Sequence, residues 1–126
     1  SRIKSGAASQ RGTSSSKEQG SYDRKNSKMT IISMNAPIHV ELEVNKDRYV
    51  IGKNVSGVHG AITFNKAISR VHCQIDRHDG GYTITDLGSS NGTFVNKVRL
   101  AANRPHPLKN GDMIRLANSD FQVSIG

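Results

Sequence analysis

The chain of 126 residues contains one cysteine, Cys73, so no disulfide can close within it and any core must hold by packing alone. That suits a reducing compartment, and an intracellular location, cytoplasmic or nuclear, is expected. No stretch approaches the roughly 18 consecutive apolar residues that a membrane helix needs, so no transmembrane segment is expected. Basic residues near the start are not followed by an apolar run, and no secretory signal is visible. No Met opens the chain, as expected of a piece of a longer protein. Aromatic residues are few: three Tyr, three Phe and no Trp, too sparse for a platform on which nucleic-acid bases would stack. His39, His59, His78 and His106 show no ligand spacing with Cys73, so neither a metal nor a cofactor is expected.

Apolar content is also low, at 34%, and the shortfall is concentrated in residues 1–37. Seven of the basic side chains lie there against two acidic ones, which places +5 of the formal +8 on this segment. Such a Ser-, Gly- and Lys-rich stretch cannot bury enough apolar area to offset backbone entropy. Residues 1–36 are therefore expected to be a disordered basic tail or linker. Thr13 and Ser14 to Ser16, beside basic residues, also suit a regulatory tail modified by kinases. Residues 37–126, near +3, have an ordinary surface charge, and no specific nucleic-acid partner is expected. The tail could still make weak, salt-sensitive contacts with nucleic acid or acidic membrane.

From Ile38 onward the pattern has period two. Ile38, Val40, Leu42 and Val44 alternate with polar residues and predict a strand with one wet face. Turn chemistry at 45–47 then predicts a returning strand at 48–51. Further strands are expected at 61–64, 71–75, 82–86, 93–95, 98–100, 113–116 and 121–125, separated by turns rich in Gly, Asp and Asn. Short strands at this spacing, with no helical period, predict an all-β sandwich or barrel.

Four motifs fall in order along that framework. Gly52-Lys53 ends a strand, and Ser69-Arg70-Val71-His72 opens another. Asp86-Leu87-Gly88-Ser89-Ser90-Asn91-Gly92-Thr93-Phe94-Val95-Asn96 begins fourteen residues after His72, and Leu108 to Ile114 precedes the final pair. Together they resemble the forkhead-associated (FHA) domain family over residues 38–126. The resemblance implies a sandwich of two twisted, mainly antiparallel sheets with about eleven strands. It also implies that the motifs converge on loops at one end, where the family binds phosphothreonine peptides.

A phosphothreonine carries about −1.5 to −2 charges and three acceptor oxygens, so its site needs cations and short donors together. On the resemblance, Lys53, Ser69, Arg70, Ser90 and Asn91 bind the phosphopeptide, while Gly52, His72, Gly92 and Thr93 support the site. Ser69 supplies a compact hydroxyl, and Arg70 a permanently charged fork. Lys53 stands where most members have Arg, giving one point charge in place of a bidentate contact. Asn91 is expected to hydrogen-bond the peptide backbone beside the phosphate. His72 is expected to brace the loops without touching ligand, and Leu87 and Phe94 to anchor them in the core. Residues 54–60 form a longer loop than the family's usual one, expected to be mobile and to meet peptide residues flanking the phosphothreonine.

Two other classes fit parts of this pattern. Ser69, His72 and Asp86 could be recruited as a nucleophilic triad, but no G-x-S-x-G elbow or oxyanion hole accompanies them, so no enzyme activity is expected. The nearer rival is a phosphate-independent FHA scaffold or interaction domain, for which Lys53 is the best argument. The expected partner is a phosphothreonine-containing protein made by a Ser/Thr kinase, bound by a monomeric domain.

Overall fold

The computed structural model describes residues 28–126. Its regular structure is entirely β, in eleven strands: β1 (Met29–Ser33), β2 (Glu41–Val44), β3 (Arg48–Gly52), β4 (Gly60–Ala61), β5 (Cys73–His78), β6 (Gly81–Asp86), β7 (Thr93–Val95), β8 (Val98–Arg99), β9 (His106–Leu108), β10 (Met113–Leu116) and β11 (Ser119–Ile125). They form a six-stranded sheet, β2-β1-β11-β10-β7-β8, and a five-stranded sheet, β4-β3-β5-β6-β9. Every pairing is antiparallel except that of β3 with β4. The expected mainly antiparallel sandwich of about eleven strands is what forms. No helix among the described residues is long and apolar enough to cross a membrane.

Alternation along each strand builds the core. In β5, Cys73 and Ile75 point inward and are fully buried, while Gln74 and Asp76 are only partly covered. Ile51, Ile84, Ile114, Phe121 and Val123 join them in one cluster drawn from both sheets. Each such side chain contributes about 1.5–3 kcal/mol through burial.

Three expectations change. The tail assigned to residues 1–36 extends too far: β1 occupies 29–33, between β2 and β11 in the six-stranded sheet. Met29 and Ile31 alternate into the core at 0% and 2% exposure, which the cover of two neighbouring strands makes possible. Residues 1–27 of the expected tail, with Thr13 and Ser14 to Ser16, lie outside the described residues. The strand expected from Ile38 begins only at Glu41, and Ile38 is 62% exposed in the preceding loop. Residues 45–47 do not close a hairpin, because β2 and β3 belong to different sheets. The chain crosses there, held by Arg77, whose backbone N–H donates to the Asp47 carbonyl and whose side chain pairs with the Asp47 carboxylate at 3.1 Å.

Candidate phosphopeptide site

Gly52 sets the geometry of the site. A methyl group there would lie 2.1 Å from the Arg70 carbonyl oxygen, so only glycine lets β3 run this close to the loop ahead of β5. The two segments are then laced together. The Lys53 N–H donates to Ser69 O at 3.0 Å, the Asn54 N–H to Arg70 O at 3.1 Å, and the His72 N–H to Ile51 O at 2.9 Å. Lys53 becomes a neighbour of Ser69 and Arg70, sixteen and seventeen positions further along the chain.

The Ser69 oxygen accepts the Ser90 backbone N–H at 3.0 Å, tying in the loop between β6 and β7. That bond uses a lone pair and leaves the hydroxyl proton free to donate. Ser90 is exposed at this junction, and Asn91 beside it donates its side-chain N–H to Ala67 O at 2.8 Å. The Asn91 carbonyl oxygen accepts no bond from another described residue. Lys53 Nζ donates to Lys66 O at 3.1 Å. Arg70 is exposed, and its side chain makes no hydrogen bond or ion pair with a described residue. The five residues expected to bind thus lie on three loops at one end of the sandwich.

His72 explains how the loops keep this arrangement. Its ring is fully buried, Nδ1 accepts the Ser69 N–H at 3.1 Å, and Nε2 lies 2.9 Å from Gly92 O. Because Nδ1 accepts and Gly92 offers only an acceptor, the ring is neutral with its proton on Nε2. Burial lowers its pKa, and the Gly92 carbonyl and Asp86 offset only part of that shift. The ring therefore braces backbone on both sides. The Ser69–His72–Asp86 triad does not assemble, since His72 meets the Ser69 backbone and not its hydroxyl.

Asp86 is the residue that sequence reasoning undervalued. One carboxylate oxygen accepts the hydroxyls of Ser89 and of Thr93, the latter at 2.6 Å; the other accepts the Gly88 and Ser89 N–H groups at 3.1 and 3.2 Å. Burial alone would raise this carboxyl's pKa, but the four donors outweigh it and hold the group below its ordinary value. The available signal was an Asp two and three residues before Gly and Ser, which suits side-chain capping of a turn. Thr93 is fully buried beneath the loop, as its supporting role requires. Gly92 has φ +91, a conformation that disfavours side chains. Leu87 and Phe94 are half-buried and not core anchors; the strand alternation sends Thr93 and Val95 inward instead.

The 53–59 loop is tied down at several points. The Gly57 N–H donates to Asn54 O, the His59 N–H donates to Val50 O, and the Val50 N–H donates back to His59 Nδ1 at 2.9 Å. The His59 ring stacks on Tyr49 at 5.8 Å between centroids. Among the described residues no three His, Cys, Asp or Glu side chains gather as a metal site requires. Cys73 is buried in β5, and that burial drives its thiol pKa far up.

The sandwich and its loop-borne site define a class, and the family model for the FHA domain matches residues 49–117. The chain belongs to the FHA domain family. It is 35% identical over 86 residues to a probable E3 ubiquitin-protein ligase, dma1, of Schizosaccharomyces pombe, covering 65% of this chain and 30% of that protein. It is 34% identical over 76 residues to the E3 ubiquitin-protein ligase CHFR of Xenopus tropicalis, covering 59% of this chain and 12% of that protein. The chain thus spans under a third of either relative. Among solved structures, the FHA domain of an Arabidopsis thaliana hypothetical protein superposes with TM-score 0.70 at 29% identity, covering 77% of this chain and 84% of that one. The N-terminal FHA domain of Saccharomyces cerevisiae Rad53p, solved with a phosphothreonine peptide, gives TM-score 0.69 at 18% identity over 79% of this chain and 94% of that one, a likeness of fold.

Proposed function

We propose that this domain binds phosphothreonine peptides and thereby makes protein contacts in signalling depend on phosphorylation. The observation that carries the reading is a cluster of donors with no anion among them. The Arg70 guanidinium has no described partner, the Ser69 hydroxyl proton is unspent, and Lys53 Nζ touches only a neutral carbonyl. A phosphate monoester supplies the missing charge and three acceptors. Asn91, next to this cluster, retains its carbonyl oxygen and one N–H for a ligand backbone. The Rad53p domain solved with a phosphothreonine peptide supports the ligand class. On this reading the domain acts inside the cell as a monomeric docking module, without cofactor or catalysis, on a partner phosphorylated by a Ser/Thr kinase. The relatives' ligase names lend no ligase activity to this segment, which spans so little of their length.

The test is a phosphothreonine peptide library titrated beside its unphosphorylated twin. Only phosphorylated peptides should bind, and Arg70→Ala should weaken them about tenfold or more, from the strength of hydrogen bonds to ions. The melting temperature should hold, because the Arg70 side chain supports nothing else. Equal binding by Arg70→Ala and parent would remove the assigned site. The second reading, a phosphate-independent interaction domain, draws on the bonds that Lys53 and Asn91 already make to Lys66 and Ala67. Equal affinity for both peptide forms would favour it.

A further inference from the structure

We infer that Arg99, seated on Phe94 beside Gly92, forms with Arg115 a second cationic subsite that reads an anionic side chain elsewhere in the same ligand. The inference rests on the phosphothreonine reading and extends it. Register places the residues. Phe94 on β7 pairs with Arg99 on β8 on one side and with Arg115 on β10 on the other. Residues directly opposite one another share a face, so Arg99, Phe94 and Arg115 form a row on the outer face of the six-stranded sheet. The Arg99 guanidinium carbon lies 5.9 Å from the centre of the Phe94 ring, within cation–π range. A methyl group on Gly92 would sit 3.0 Å from Arg99 Nε. The guanidinium therefore rests against the Asn91-Gly92 corner, next to the phosphate cluster.

Charge compensation sets Arg99 apart. Arg48, Arg77 and Arg115 each have a carboxylate within 4.0 Å: Asp76, Asp47 and Asp120. Arg70 and Arg99, on either side of the Ser90-Asn91-Gly92 loop, have none among the described residues. Arg104 also lacks one, but no described contact fixes it. Arg99 is held in place by an aromatic ring and left without an anion, the same condition that marks Arg70. Arg115 adds charge to the row while Asp120, 3.4 Å away, draws on only part of its fork.

Distance sets the ligand. From Ser90, bonded to Ser69, to Gly92 is two chain steps, at most about 7 Å, and the arginine side chain extends further. An extended peptide advances about 3.3 Å per residue, so an anionic group roughly two to four residues from the phosphothreonine reaches Arg99. Asp, Glu and a second phosphorylated residue share that chemistry.

The experiment fixes phosphothreonine in a peptide library, varies the four flanking positions on each side, and includes an arm with phosphoserine at those positions. The parent should select acidic residues at one of them by roughly two- to fivefold, the range of an exposed ion pair. The phosphoserine arm should gain roughly tenfold or more. Arg99→Gln should lose that selection while keeping phosphothreonine-dependent binding and its melting temperature, and Arg115→Gln should lose part of it. Phosphothreonine-dependent binding with no acidic selection, or with selection unchanged in Arg99→Gln, overturns the subsite and leaves the phosphothreonine reading standing. Indifference to phosphorylation overturns both.

Discussion

The base of the β6–β7 loop, Asp86 to Ser89 with Thr93, and the Lys53–Ser69–Arg70 corner lie side by side but use their polar groups in opposite ways. In the first, Asp86 receives four donors from Gly88, Ser89 and Thr93, and little is left for a partner. In the second, Arg70 is unpaired and the Ser69 proton is unspent. One region satisfies itself and so holds a shape; the other stays unsatisfied and so has donors to offer a ligand. Rigidity and affinity are thus assigned to different residues of one site, and substitutions should separate them.

The largest effect is expected from Asp86→Ala. It would strand the buried Thr93 hydroxyl and three loop donors, each costing about 1–3 kcal/mol where water cannot replace the lost acceptor. A loss of about 3 kcal/mol or more in urea denaturation is expected, in contrast to the unchanged stability of Arg70→Ala. If Asp86→Ala melts like the parent, the division of labour is wrong.

Acid should break the same comparison from the structural side. His72 is held neutral with its folded pKa below the unfolded value of 6.5, so the unfolded chain takes up the proton first as pH falls. Its contribution is fully present above about 6.5 and is lost as pH drops through the folded value. Asp86, whose folded pKa is also lowered, adds a loss of the same sign at lower pH. Stability measured from pH 8 to 5 should fall, and His72→Gln should flatten that slope. An unchanged slope would mean that the buried imidazole does not govern it.

The smallest effect sharpens the binding side. Lys53→Arg should keep a contact to Lys66 O and offer a second donor to phosphate, strengthening binding by roughly two- to fivefold. Weaker binding would show that the compact ammonium suits this corner better than a fork.

Legibility in the sequence followed how local each determinant was. β7 and β10 matched their expected limits, because Thr93–Val95 and Met113–Leu116 are bounded by turn residues on both sides. β1 was missed because Met-Thr-Ile-Ile-Ser is a brief apolar run in polar surroundings, and only pairing with β2 and β11 makes it a strand. β9 escaped notice because Pro107 weakens the strand pattern, though an edge position tolerates it. The site motifs were legible as contiguous Ser-Arg-Val-His and Gly-Ser-Ser-Asn-Gly. Arg99 was not, since its approach to Gly92 depends on the β7–β8 pairing, and neither was the count of donors that Asp86 gathers.

The pairing of Met29 with Ile125 has a practical consequence for anything joined to this domain. β1 and β11 bring Lys28 and Gly126 together through two reciprocal backbone bonds, of 3.2 and 2.9 Å. The other end of β11 adjoins Leu116, which pairs with Thr93 beneath the binding loops. Lys28 and Gly126 therefore lie at the pole opposite the candidate binding loops. A dye attached at Lys28 or Gly126 would stay clear of those loops, whereas trimming the chain back to residue 37 would unzip the six-stranded sheet along an interior seam.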